Sequence, residues 1–275
     1  MKKIPQVFFF FATLFLFQGC VGFQVFNTTQ VPNLTHKGEG SASEFVAFDH
    51  VQAQTAYSPV NHLALLGNVY DSPITVFGVE NSEGTTMTEG AIGYYTTLLK
   101  DTVNKGGLYV DAYLGFGKGQ RQYKGETYWA QSPDGLDNCT IASAYDKGMV
   151  QSSVYWKEEH FELGLTLQGA QFYYTSFDYA LLEYGGHFAN YDQLHFQNKS
   201  FFNLNTALTA KFQTRFAGLI LQVARNSPFI SSLPLYTNTS YPRPNFNSRV
   251  VELNIGLQIN ICRLFTPKEK RLPPY

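Results

Sequence analysis

Residues 251–261 read VELNIGLQINI, and this short run decides the fold. Val251, Leu253, Ile255, Leu257, Ile259 and Ile261 are aliphatic, while Glu252, Asn254, Gly256, Gln258 and Asn260 between them are polar or glycine. Alternation with a period of two is a β-strand with two unlike faces. One face wants hydrocarbon and the other wants water or amide partners.

The same pattern recurs along the chain. "VQAQTAY" (51–57) sets Val51, Ala53, Thr55 and Tyr57 against Gln52, Gln54 and Ala56. "LYVDAYLGFG" (108–117) sets Leu108, Val110, Ala112, Leu114 and Phe116 against Tyr109, Asp111, Tyr113 and Gly115. "FELGLTLQGAQF" (161–172) sets Phe161, Leu163, Leu165 and Leu167 against Glu162, Gly164, Thr166 and Gln168. Further runs fall near 40–48, at 62–70, near 89–97 and 149–156, at 202–212 and at 216–224. With the opening run these give about ten strands. No helical period competes, and no second domain is indicated.

A soluble sandwich or barrel alternates in the same way, with its apolar face inward. An outer-membrane barrel inverts this, turning apolar residues to lipid and polar ones to the lumen. Three features favour inversion. The polar face carries Gln, Asn, Thr, Gly and Tyr rather than Lys and Glu, which suits a confined interior where amides bond one another. The connections after the third, fifth, seventh and ninth strands are long, on the order of twenty residues by the sequence pattern. Those after the second, fourth, sixth and eighth are short turns such as "SPVN", "KEEH" and "QTR". A first hairpin turning at Asp49 and His50 is the exception, a short turn on the external side.

Third, the chain opens with "MKKIPQVFFFFATLFLFQGC". Lys2 and Lys3 precede an apolar run, Val7 to Phe17, of signal-peptide length and too short to span a bilayer as a helix. "FQGC" resembles the lipobox of bacterial lipoproteins, which implies cleavage before Cys20 and lipid on that residue. The expectation is a single closed antiparallel up-and-down transmembrane β-barrel, all-β, of about ten strands, because an open edge in hydrocarbon leaves backbone groups unpaired. Its parts are a signal peptide (1–19), a lipidated tether (20–38), the barrel (39–262) and a periplasmic tail (263–275). The expected location is the bacterial outer membrane, with short turns on the periplasmic side.

Composition agrees. Formal net charge is −1, and only 15% of residues are charged against 16% aromatic, so no basic footprint for nucleic acid exists. The three cysteines, 20, 139 and 262, have no metal-ligand spacing. Cys139 is expected in an external loop and Cys262 at the periplasmic end, so no disulfide is expected between them.

"VPNLTHKGEG" (31–40), "VQAQTAYSPVNHLALLGNVY" (51–70) and "EGAIGYYT" (89–96) resemble uncharacterised outer-membrane β-barrel lipoproteins of Gram-negative bacteria. The resemblance covers most of the mature chain and implies an architecture but no activity and no catalytic residues. Asn254, Gly256, Ile259 and Ile261 resemble the C-terminal signal read by the barrel-assembly machinery, with aliphatics in place of aromatics.

Glu89, Asp111, Glu162, Lys211 and Glu252 are expected in the lumen, where charges need partners. They read as a network bracing the barrel or, more sharply, as a binding or selectivity site. Tyr95, Tyr109 and Tyr113 also point inward, so no open pore is expected. Ser58 with His62, and Asp49 with His50, carry the residue types of a hydrolase, but the topology puts the two pairs at opposite rims. A triad needs hydrogen-bond reach, and there is no G-x-S-x-G. No enzyme and no cofactor are expected. His187, Asp192 and His195 share one external loop at spacings that chance supplies, so no metal is expected. The N-x-S/T matches, such as "NLT", read as accidents of an Asn/Thr-rich chain. Aromatic external segments (177–196, 228–244) are candidate contact surfaces. Expected partners are outer-membrane lipid, the assembly machinery and an unidentified ligand of the external loops. Function is therefore read as structural or surface-binding. The alternatives are a barrel enzyme acting on envelope lipid, or a soluble periplasmic lipoprotein barrel holding a small apolar ligand.

Overall fold

The computed structural model describes residues 34–46, 51–72, 84–101, 106–127, 137–182, 191–214, 216–229 and 250–260. Their regular structure is entirely β-strand: β1 (Gly40–Val46), β2 (Val51–Val60), β3 (Leu63–Ser72), β4 (Gly84–Asp101), β5 (Gly106–Thr127), β6 (Asp137–Lys157), β7 (Phe161–Leu182), β8 (Tyr191–Phe196), β9 (Lys199–Gln213), β10 (Ala217–Phe229) and β11 (Val250–Ile259). Consecutive strands pair antiparallel from β1 to β8 and from β9 to β11, β7 also pairs with β9, and β1 pairs with β11, so the sheet closes.

The wall has ten strands although eleven are numbered. β8 and β9 both pair with β7, opposite its residues Phe177–Leu182 and Phe161–Tyr174 respectively. They act as one wall strand broken at Gln197–Asn198, where Asn198 takes φ 55°. Asparagine tolerates that left-handed conformation better than most residues.

The register fixes the barrel's geometry. From Phe45, register partners lead through Gln52, Tyr70, Met87, Gly119 and Tyr145 to Tyr174 on β7. In the other direction they lead through Gly256, Ile220 and Lys211 to Glu162 on the same strand. Tyr174 and Glu162 are twelve residues apart, and that is the stagger of the barrel. Ten strands with this stagger tilt by about 40°. Rows of paired residues therefore climb steadily around the wall.

The inside-out assignment holds. Leu163, Leu219 and Ile255 are 43%, 40% and 49% exposed, whereas Gln168, Gln222 and Gln258 are 2%, 0% and 5% exposed. A water-soluble barrel would show the reverse, so the soluble ligand-carrier alternative fails. Hydrocarbon is the solvent for the outer face, and polar side chains are sequestered within.

Two expectations need correction. Strands four to seven are far longer than read: β5, β6 and β7 run to 22, 21 and 22 residues. Much of the expected loop after the fifth and seventh strands is paired sheet. Cys139, expected in a loop, lies on β6 opposite Gly125 and Leu181. Outside a bilayer neither face of a strand needs to be apolar, so the period-two signal fades while backbone pairing continues. Asp192 and His195 likewise lie on β8 and not in a loop.

The last residues of the expected tether also belong to the barrel. Leu34 is 3% exposed and packs with Ala56, Ala64, Leu66, Tyr95 and Tyr113 inside the short-turn mouth. Gly38 donates to the Ser58 carbonyl (2.7 Å) and Ser58 donates back to Glu39 (2.8 Å), which stitches this segment to β2.

Candidate functional site

The lumen is the strongest candidate site. Glu89, Asp111, Glu162 and Lys211 are 8%, 2%, 1% and 2% exposed inside it. The structure does not bring them to one point. It divides them between two ion pairs and one hydrogen-bonded chain, each spread over several strands.

The first pair joins Glu89 on β4 to Lys147 on β6, with β5 between them. Gly117 of β5 faces both residues across the sheet, so no side chain intervenes. A Cβ there would lie 2.7 Å from Glu89 Cγ. Glycine is required at this position for close approach. The charge is further supported along the wall. Gln52 Nε2 donates to Asn68 Oδ1 (2.7 Å), and Asn68 Nδ2 donates to Glu89 Oε2 (2.9 Å). Lys147 Nζ also stands 5.4 Å from the Phe172 ring centroid, within cation–π range.

Lys147 is the lumen charge that the sequence reading missed. The signal was present: Tyr145 and Lys147 continue the inward series of Met149, Gln151, Ser153 and Tyr155. The expected strand stopped at Met149 because the outward face ceases to be apolar at Gly148 and Asp146.

The second pair is Glu162 with Lys211, direct cross-strand partners on β7 and β9, 3.8 Å apart. Nearby, Thr166 donates to Ser153 Oγ (3.1 Å). Ser153 and Tyr113 both hydrogen-bond Asp111, the tyrosine at 3.3 Å. An amide ladder runs beside this chain: Asn205 donates to Gln168 (2.9 Å) and Gln168 to Gln151 (3.2 Å). Glu252 pairs with Ala224 in the backbone register, but its side chain lies outside the described residues.

Both ends of this polar core are filled. At the short-turn end sits Leu34, whose carbonyl accepts from Tyr155 (3.5 Å). A turn at 36–39 precedes β1, with Gly38 at φ 82°. Glu39 folds back to accept from the backbone N–H groups of Thr35 and His36. At the opposite end Tyr145, Phe172, Tyr174, Phe177 and Phe201 form an aromatic cluster of edge-on and tilted rings.

Among the described residues, Ser58 and His62 do not pair with one another. Ser58 Oγ donates to the Val60 carbonyl (2.9 Å) and bonds Tyr95 Oη (2.7 Å). His62 holds a left-handed turn (φ 68°), and its Nδ1 contacts the Tyr95 carbonyl (2.9 Å). Each already has a structural partner other than the other. Asp49, His50 and His187 lie outside the described residues, and the Asp192 side chain does too. His195 meets Asp178 at 2.5 Å on the outer sheet. Of the assembly-signal residues, Asn254 is buried in the lumen and Ile259 is exposed at 48%. Gly256 lies beneath the Phe45 ring. Ile261, Cys20 and Cys262 are outside the described residues.

No family model matches this chain, and no curated protein matches it. Among solved structures it is similar to the outer membrane protease OmpT from Escherichia coli, at 12% identity and TM-score 0.39, over 82% of this chain and 94% of that one. It is also similar to OmpT of Vibrio cholerae, described as an outer membrane protein, at 10% identity and TM-score 0.19, over 80% of this chain and 95% of that one. Likeness of this degree carries no activity across to this chain.

Proposed function

We propose that this chain is a non-enzymatic outer-membrane barrel, lipid-anchored through Cys20, whose raised outer sheet is a binding surface. One observation carries the reading. β5, β6 and β7 have 22, 21 and 22 residues, about twice the 9–11 needed to cross a bilayer. The excess stands beyond the apolar belt as ordered sheet. Ordered, solvent-exposed sheet at one end of a filled barrel suits recognition better than transport.

The remaining parts fit this reading. Leu34 sits in the short-turn mouth, fourteen residues after Cys20, and that stretch spans at most about 48 Å when extended. A lipid on Cys20 would then rest in the leaflet beside the short turns, which are assigned to the periplasm. Asn254, Gly256, Ile259 and Ile261 would serve as the signal for the barrel-assembly machinery. No cofactor is invoked.

Protease treatment of intact cells, with mass spectrometry of the fragments, tests the display. Cleavage is expected within 128–136 or 183–190, leaving a heat-modifiable barrel. Planar-bilayer recording of the purified full chain is expected to show no conductance steps. An uncut chain or a stable open channel would overturn the reading.

A further inference from the structure

Glu44 on β1 points outward, where its neighbours are apolar. It is exposed, and no hydrogen bond or ion pair joins it to a described residue. Its depth follows from the register. One row of paired, outward-facing residues runs Phe161, Phe212, Leu219, Leu257, Glu44, Ala53, Val69, Thr88, Lys118. Phe161 opens β7 at the short-turn rim, and Lys118 is ion-paired with Asp146 (3.6 Å) where charge returns to the outer face. Because rows climb evenly around a staggered barrel, Glu44, four strands from each end, sits at mid-height of the apolar belt. An ionisable group facing lipid at mid-depth needs a partner.

The flanks of Glu44 differ in relief. On the β2–β3 side the outer face presents Ala53 at the same depth and Thr55 and Gly67 one pleat nearer the short turns, a trough bordered on β3 by Val69, 53% exposed. On the β11 side it presents Ile255 and Leu257, exposed at 49% and 65%. A two-fold axis along the membrane normal, passing beside Glu44, sets the β11 ridge of one copy against the β2–β3 trough of the other. It does so twice, at matched depth, and it brings the two Glu44 carboxyls together. Isologous contacts require this kind of self-complementarity.

We propose that the β11–β1–β2 flank is the interface of a homodimer. At its centre the Glu44 side chain of one copy meets the Glu44 side chain of the second. Small residues allow the close approach that membrane interfaces favour. The interface also covers the β1–β11 seam, which is closed by only five register pairs.

The test uses full-length protein in proteoliposomes, with Cys139 and Cys262 changed to Ser. Ala53→Cys with Leu257→Cys is expected to give a disulfide-linked dimer on mild oxidation. Within one barrel those positions are two strands apart, about 9.6 Å, too far to bridge. Leu165→Cys, on the far wall, is expected to give at least tenfold less dimer. Single-molecule photobleaching is expected to show two steps for the native chain and for Glu44→Gln, and one step for Glu44→Arg, which places two cations on the axis. One-step bleaching of the native chain overturns the proposal. So does dimer unchanged by Glu44→Arg, or crosslinking equal at position 165.

Discussion

At the scale of single residues, the lumen is a problem of satisfying charge in a small space. Glu89 and Lys147 reach one another because Gly117 leaves the intervening strand bare. Replacing one member strands the other. Lys147→Met is expected to destabilise the barrel by about 3–5 kcal/mol. Adding Glu89→Leu should recover most of that loss, since a well-packed apolar pair often matches a buried ion pair. Urea unfolding in lipid vesicles, run as a double-mutant cycle, measures the coupling. Additive losses would show that the two charges are held by other partners. Asn203 and Asn254 present a different case. Both are buried, and neither amide finds a partner among the described residues. Buried amides of this kind are normally met by a partner side chain or by water.

At the scale of elements, a strand is legible where its two faces meet unlike surroundings. β2, β3, β9 and β11 were readable to within a few residues, because lipid and lumen force alternation along almost their full length. β5, β6 and β7 were readable only over the part inside the belt. Beyond it, residues such as Lys118, Gln120 and Gln122 alternate with glycines and Arg121, and no hydropathy contrast marks the strand. The same reason hid Lys147. The N-terminal plug was hidden for another reason: Leu34 is one apolar residue in a polar stretch, and only the fold shows that its neighbours are Tyr95 and Tyr113. The network members Glu89, Asp111, Glu162 and Lys211 were legible as inward positions, but their pairing was not, because it depends on register and on one glycine. The belt itself makes a prediction. Leu165 is 61% exposed on β7 and near mid-depth. Leu165→Arg is expected to lower stability by about 2–4 kcal/mol, with a smaller loss for Tyr173→Arg near the outer edge. Equal losses at the two positions would place the bilayer elsewhere on the wall.

At the scale of the whole molecule, closure is uneven. β1 and β11 share five register pairs, Ala42–Val46 with Ile255–Ile259, while β5 and β6 are paired along almost the whole of β5. Local opening follows the thinnest hydrogen bonding. Amide exchange in the purified monomer is expected to be fastest at 42–46 and 255–259 among the belt residues, and slowest at 110–116 and 149–155. Uniform protection around the ring would show that the seam is as firm as the rest.

The wall is also of unequal height: seven residues at β1 and ten at β2, against 22 at β5 and β7. Over its described residues the barrel is a cylinder cut on a slant, a tall screen behind a low sill. A dimer joined along the low sides would leave two such screens standing face to face.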